Sequence, residues 1–573
     1  MFLIRLSFKP SNTIGAQTLW KHRGLGLLLL IHLGLMAFLT VFYSPTLDES
    51  AHLPAGLAIW RFGRTDLYRV NPPLVRGLAS LPVRFVSHEE DWSHYSIGSS
   101  RRCEWDVAAD FIYANGLNSM GLFRLARWMC LPFSLLGLTV CWFWGRELTS
   151  PLGGGVAATL WCFSPSLLAH GSLLTNDVAA TACGLLAAWR FQAWLNSSTS
   201  RNALSAGLCL GLALLTKTYW GILLGLWPLI GVFVLCICRL SSDRKNFLLQ
   251  LVLILLIGGS LLNLGYGYDG TGTALKEIPF YSRLLSGKQL DPELDPAGNR
   301  FRGCWLGEIP VPFPRDYITG IDLQKWDLEQ TRLSYLWGQS QRGGWWTYYA
   351  IGLGVKVPLG TWFLAGLGLL RGIQLRGGKK MAGSLVSLWL PVVVLFILVS
   401  AETGLNRHVR YVLPVLPLFF LLGGFAVLRW PGWIFPSWGW WSVPLAASLM
   451  SSLAVFPHSL SYFNMLSRWG ESGQPVLIDS NLDWGQDLLR AKAWIDSHPE
   501  CRPVTMAPVS GFPHQALGIA APFTPSGKPV PGWHLISLHL LHAPENSYSS
   551  FRKLRPVGRV GSTINIYHVP EKD

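Results

Sequence analysis

The chain has 573 residues, of which 50% are hydrophobic and only 14% charged, with 28 Trp and a formal net charge of +15. Soluble chains average about 25% charged residues, so a multidomain soluble protein is excluded. The positive charge is spread over short loops beside apolar runs rather than gathered in one basic domain, which argues against a nucleic-acid partner.

Apolar runs of about 20 residues, the length that crosses a hydrocarbon core, recur through most of the chain. In order, the expected spans are 24–43, 123–144, 154–168, 178–195, 204–216, 219–238, 247–264, 346–370, 385–400, 412–428 and 440–456. They predict a polytopic α-helical membrane protein of about 11 transmembrane helices, with a transmembrane domain over 1–456. Arg5, Lys9, Lys21 and Arg23 precede the first run, which is too long for a signal-peptide core and reads as an uncleaved span. Two long polar loops interrupt the spans, at 44–122 and 265–344.

In the first loop, Leu74, Leu78, Leu81 and Phe85 recur at near-helical spacing with Arg76 and Arg84 between them, a pattern suited to a helix lying in the membrane interface. A second such helix is expected at 51–60, with Pro54 confined to its first turn. The polar remainder, 457–573, alternates strand-like pieces (475–478, 504–507, 534–540, 563–568) with a helical one (483–498), which predicts a small α/β domain.

Lys and Arg set the orientation. With the N-terminus inside, 15 basic residues of the terminus and short loops face the cytoplasm, against Lys217, Arg407 and Arg410 in the short loops opposite. The positive-inside rule therefore makes the N-terminus cytoplasmic. An odd number of spans then sends both long loops and the α/β domain outside. Cys103, Cys304 and Cys501 fall in those outer segments, where a disulfide can form. No Cys or His spacing matches a zinc site.

The residues that could carry chemistry sit at the outer ends of spans. Asp48 and Glu49, just past the first span, can serve as a general base for a hydroxyl, or stand as solvated loop acids. Thr175, Asn176 and Asp177 open the fourth span, where an acid marks a substrate path or a helix cap. Lys217, Arg407, His408 and Arg410 lie on the side poor in cations. An anionic phosphate would explain them; headgroup contact or pairing with Glu402 is the alternative. The segment DSNLDWGQDLLR, 479–490, has acids at alternate positions like a calcium loop. Trp484 stands where glycine is needed and Arg490 where an acid is needed, so a capping box of Asp483 and Gln486 is the plainer reading. GTGTALKE near Gly270 lacks the P-loop pattern.

Taken together, LDES and RVNPPLVR in the first loop, SLLTND before the fourth span, LLTK after the fifth and NRHVRYVLPVLP entering the tenth resemble the C-type membrane glycosyltransferases that use polyprenyl-phosphate sugars. The likeness is to the branch of protein O-mannosyltransferases and lipid A aminoarabinose transferases, and it covers roughly residues 20–430. It implies sugar transfer from a polyprenyl-phosphate donor to a hydroxyl or phosphate on a protein, lipid or glycan. It also implies a multi-pass protein of the bacterial inner (plasma) membrane, acting on the outer face. Asp48, with Glu49 beside it, and Asp177 match the family's acids. Asn71, Arg76, Lys217, Arg407, His408 and Arg410 are expected to bind donor phosphate or substrate. Relatives often carry His or Lys before the Pro-Pro turn, where this chain has Asn71. The spacing demands no cofactor; a divalent metal is left open, because two acids facing a phosphate can share one. A transporter or flippase of a lipid-linked sugar is the competing class, but no inverted repeat supports it.

Overall fold

The computed structural model describes residues 17–98, 102–237, 244–375, 378–429, 439–469 and 474–571. Arg5, Lys9, Arg239, Arg376 and Cys238 lie outside them, as do the side chains of Lys21, Lys379 and Lys380.

All eleven expected runs contain helix, but not as eleven uniform spans. Among the described residues, five helices are long and apolar enough to cross a membrane: Arg23–Phe42, Glu104–Leu148, Thr218–Cys236, Arg244–Gly265 and Val409–Ala426. Two further runs are bent pairs, Pro151–Cys162 with Pro165–Gly171 at 58° and Tyr348–Lys356 with Leu359–Gln374 at 108°, giving seven if each counts as one span. Proline explains both bends. Pro165 opens one second half and Pro358 is the N-cap of the other, and neither can donate the amide bond that would continue the preceding helix. The runs at 204–216 and 440–456 form helices of only 15 residues, Ser200–Leu214 and Gly439–Leu453.

Helices pack closely where side chains are small. A Cβ on Gly368 would overlap the Leu422 carbonyl, and the backbones of Gly153 and Gly424 meet directly. Aromatic rings fill the wider gaps: Phe191 stacks on Trp227 at 4.1 Å, and Trp144, Trp161 and Trp194 are fully buried.

In the first loop, the helix Glu49–Phe62 is buried from Glu49 through Ala58 instead of lying on a surface. Pro54 stands beyond its first turn, inside the helix. The segment after the Pro-Pro turn is short, Leu74–Ser80 followed by a 3-10 turn Pro82–Phe85. Val75 and Ala79 face inward, and Leu78 and Phe85 face outward. The second loop adds the helix Arg315–Glu329 and a hairpin of β1 (Leu333–Leu336) and β2 (Gln339–Arg342).

The last hundred residues form a four-stranded sheet of β3 (Val504–Ala507), β4 (Gly532–Ser537), β5 (Gly558–Val560) and β6 (Ile564–Val569). Its order is β3-β4-β6-β5, with β3 parallel to β4 and the other pairs antiparallel. Residues 475–478 are not a strand, and the expected helix begins at Leu488 rather than 483. The Asp483 carboxylate instead accepts from Gly485 N at 3.0 Å, and Gln486 accepts from Trp484 N at 2.7 Å, so the capping-box reading fails. Those turns bond back to the first loop: Ser44 N donates to the Gln486 carbonyl and Leu47 N to that of Trp484. Cys103, Cys304 and Cys501 are all free thiols.

Candidate functional site

A cavity of about 510 Å³ opens where the first loop, the starts of the helices at 177 and 409, the second loop and the C-terminal segment converge. Of the expected site residues it is lined by Asp48, Asn71, Asp177, Lys217, Arg407, His408 and Arg410. Glu49 and Arg76 do not line it.

The Asn176 side-chain amide helps tie the segments that hold the charges to one another. Asn176 occupies the N-cap position of the helix Asp177–Asn196 but makes no side-chain cap bond. Its Nδ2 donates to the carbonyls of Thr216 (2.6 Å) and Pro72 (3.3 Å). That brings the Pro-Pro turn and the end of the fifth apolar run to the mouth of this helix. Asp177 then meets Lys217, whose Nζ lies 3.2 Å from Asp177 Oδ1 and 3.2 Å from Asn71 Oδ1. Asn71 thus serves as an uncharged acceptor for the lysine, a place where a second cation would repel it.

Arg410 joins the two acids. Its Nη2 donates to Asp48 Oδ2 at 2.7 Å and its Nη1 stands 3.5 Å from Asp177 Oδ2, while the guanidinium lies 4.2 Å from the centre of the Trp484 ring. The result is an alternating row, Asp48–Arg410–Asp177–Lys217–Asn71, along one wall. Arg407 adds a further guanidinium, bonded through Nη2 to the Leu333 carbonyl at 3.0 Å and with no carboxylate partner among the described residues. His408 Nδ1 lies 2.8 Å from Ser480 Oγ. Burial, and then the nearby Arg410 and Arg407 charges, hold its imidazole well below the ordinary histidine range, so it is neutral.

Glu49 points the other way and is fully buried. Its carboxylate receives Nε and Nη2 of Arg127 at 2.7 and 2.6 Å, Leu174 N at 2.7 Å, and both N and Oγ1 of Thr46 at 2.7 and 2.9 Å. The bonds from Thr46 close the turn that leads into the helix, with Glu49 N donating back to the Thr46 carbonyl. Arg76 is equally occupied, donating to the carbonyls of Tyr68 (2.7 Å) and Thr65 (2.9 Å). Of the expected site residues, these two alone stand outside the cavity lining, held by these internal bonds.

Sequence reasoning passed over several lining residues. His52 lies one helical turn beyond Asp48, and its Nδ1 is buried without a partner. Burial and the charges of Arg76 and Lys217 keep it neutral. The LDESAH spacing, four residues apart, was the available signal. Asp479, Ser480, Asp483, Trp484 and His539 also line the cavity, with Ser480 against His408 and Trp484 under Arg410, although only the first four stood in a segment already singled out. Arg102 also lines the cavity, neutralised by Glu104 (2.8 Å) and Asp327 (3.1 Å).

The donor set does not gather for a divalent ion. Among the described residues no three His, Cys, Asp or Glu side chains converge, and the Arg410 guanidinium already spans Asp48 and Asp177.

No family model and no curated protein matches the chain. Its fold is similar to that of ArnT from Cupriavidus metallidurans in the apo state, at 12% identity and TM-score 0.46, over 96% of this chain and 98% of that one. The same protein bound to undecaprenyl phosphate gives 12% identity and TM-score 0.43 over the same shares. The archaeal oligosaccharyltransferase AglB from Archaeoglobus fulgidus, in complex with an inhibitory peptide and a dolichol-phosphate, gives 13% identity and TM-score 0.44 over 94% of this chain and 73% of that one.

Proposed function

We propose that the protein is a membrane glycosyltransferase that moves a sugar from a polyprenyl-phosphate donor to an acceptor hydroxyl or phosphate at the outer face of a bacterial inner membrane, with its N-terminus in the cytoplasm. The observation that carries this reading is the row Asp48–Arg410–Asp177–Lys217, in which two acids and two cations line one cavity beside Arg407, which has no carboxylate partner among the described residues. Ionisable groups at the ends of apolar helices are costly unless they do chemistry or bind charge.

In the proposed reaction, Asp48 takes the proton of the acceptor O–H as its oxygen attacks the anomeric carbon. The bond from that carbon to the phosphate oxygen breaks, and the electron pair leaves with the polyprenyl phosphate. Lys217 and Arg410 stabilise the developing phosphate charge, which removes the need for a nucleotide leaving group. When Arg410 turns toward the phosphate it loosens its hold on Asp48, which frees the carboxylate to act as base. Asp177 keeps Lys217 and Arg410 together while this happens.

The test is transfer from a radiolabelled polyprenyl-phosphate sugar by the full chain in lipid nanodiscs. Asp48→Asn is expected to abolish transfer while leaving insertion and folding intact. Full turnover by that variant would remove Asp48 from the chemistry. Passage of intact donor between leaflets without cleavage would instead identify a flippase.

A further inference from the structure

The segment 479–490, singled out in the sequence for its acids, packs on the cation segment residue by residue. Ser480 Oγ lies 2.8 Å from His408 Nδ1. Asn481 pairs with the backbone on both sides of that histidine: its Nδ2 donates to the Arg407 carbonyl (2.8 Å) and its Oδ1 accepts from Val409 N (3.0 Å). Trp484 then sets its ring under Arg410, with the guanidinium carbon 4.2 Å from the ring centre. The same turn also grips the segment that carries Asp48. The Trp484 carbonyl accepts from Leu47 N at 3.1 Å and the Gln486 carbonyl from Ser44 N at 2.9 Å. Gly485 lets the chain reverse between those two carbonyls. Its φ is +96°, and a Cβ there would stand 2.8 Å from the Val509 carbonyl oxygen. Trp484 is buried, its N–H donates to Gln486 Oε1 at 2.7 Å, and it belongs to the apolar cluster of Tyr43, Leu168 and Leu460. One residue is thus tied by its backbone to the neighbour of Asp48 and by its ring to Arg410.

We propose that Trp484 is a positioning residue for the transfer reaction, holding the Arg410 guanidinium at Asp48 and steadying it when its N–H groups turn to the donor phosphate. This deepens the transferase reading above and rests on it. Arg410 Nη2 and Nη1 face Asp48 (2.7 Å) and Asp177 (3.5 Å), and its Nε is buried with no hydrogen-bond partner among the described residues. A guanidinium whose N–H groups leave a carboxylate for a phosphate loses the bonds that fixed it. An aromatic face attracts the cation through the ring quadrupole and takes up no N–H, so this contact can persist through the exchange. The attraction is strongest where water is excluded, and Arg410 is only 7% exposed. The Tyr411 ring, 5.7 Å from the guanidinium carbon, is the more distant of the two faces.

Titration of undecaprenyl phosphate into the full chain in nanodiscs tests the role, with one, two and three fluorines placed on the Trp484 indole. Fluorine draws charge from the ring face with little change of shape, so packing is kept while the attraction for a cation weakens stepwise. Because the chain has 28 Trp, the label goes to position 484 alone, by nonsense suppression. The Kd is expected to rise with each fluorine, to about five-fold in total, at an unchanged melting temperature. In an Arg410→Met background the same series should leave the Kd flat. Two substitutions read the ring without that background. Trp484→Phe keeps an aromatic face and should stay within about two-fold, whereas Trp484→Leu should weaken binding by about ten-fold. A Kd indifferent to fluorine, the same rise in Arg410→Met, or equal losses in Trp484→Phe and Trp484→Leu overturns the role and leaves Trp484 as packing alone. Binding of undecaprenyl phosphate without cleavage of its sugar-loaded form by the wild type overturns the transferase reading instead, and the two failures are read separately.

Discussion

Glu49 and Asp48 are neighbours of the same chemical type, and their substitution should have opposite consequences. Glu49 is fully buried and accepts five hydrogen bonds, two of them from Arg127, which is buried as completely. Glu49→Ala leaves the Arg127 guanidinium with the carbonyls of Thr40, Tyr43 and Ser44 but no counter-charge. Breaking one partner from a buried ion pair costs about 3–5 kcal/mol. The orphaned N–H groups of Thr46 and Leu174 act in the same direction, at about 1–3 kcal/mol each before relaxation. Glu49→Ala should therefore lower the melting temperature in detergent sharply, and activity should fall only as folded protein is lost. Removing both charges, with Glu49→Leu and Arg127→Met, should recover part of that loss. Asp48, by contrast, keeps some exposure to the cavity and has one arginine partner, so Asp48→Asn should melt like the wild type. A Glu49→Ala protein with an unchanged melting temperature and no turnover would refute this division and return Glu49 to the chemistry.

Lys217→Met should weaken undecaprenyl phosphate binding by about 10-fold or more, the worth of one hydrogen bond to a charged group, measured by ligand titration in nanodiscs; unchanged binding would place the phosphate elsewhere. Burial, opposed by Ser537 and Gly485, pushes the Asp483 carboxyl up from 3.8 to about 6. A native pKa above the unfolded one gives stability that is present below pH 4 and lost as pH rises through 6. The melting temperature should drop across that window, by on the order of 3 kcal/mol in stability, and Asp483→Asn should flatten the profile. A reporter fused after Asp573 that works only outside the cytoplasm should be active; an inactive fusion with an active cytoplasmic counterpart would reverse the proposed side of the C-terminal domain.

Much of the site was legible because charges at the ends of apolar helices are conspicuous. Asp177, Lys217 and Arg410 needed only their position beside a span and the count of cations to be singled out. Arg76 and Glu49 looked the same in the sequence but lie outside the cavity lining, since nothing local distinguishes an arginine that faces a cavity from one that ties down the carbonyls of Thr65 and Tyr68. The segment 479–490 was misread for a related reason. Its acids fit the local logic of a helix cap, whereas their partners, Ser537 and His539, lie more than fifty residues away.

The membrane character, the order of the polar loops and the cationic side of the cavity were set by the amino-acid sequence alone, because hydropathy and charge placement are properties of short stretches. Which of two adjacent acids faces the cavity was decided by the tertiary structure. Successive residues on a helix point about 100° apart, so Asp48 and Glu49 cannot share a direction. Only the folded chain brings Arg410 across 362 residues to Asp48 and sends Arg127 to Glu49. The same long reach carries Asp479 and His539 to the cavity, where no local pattern could have put them.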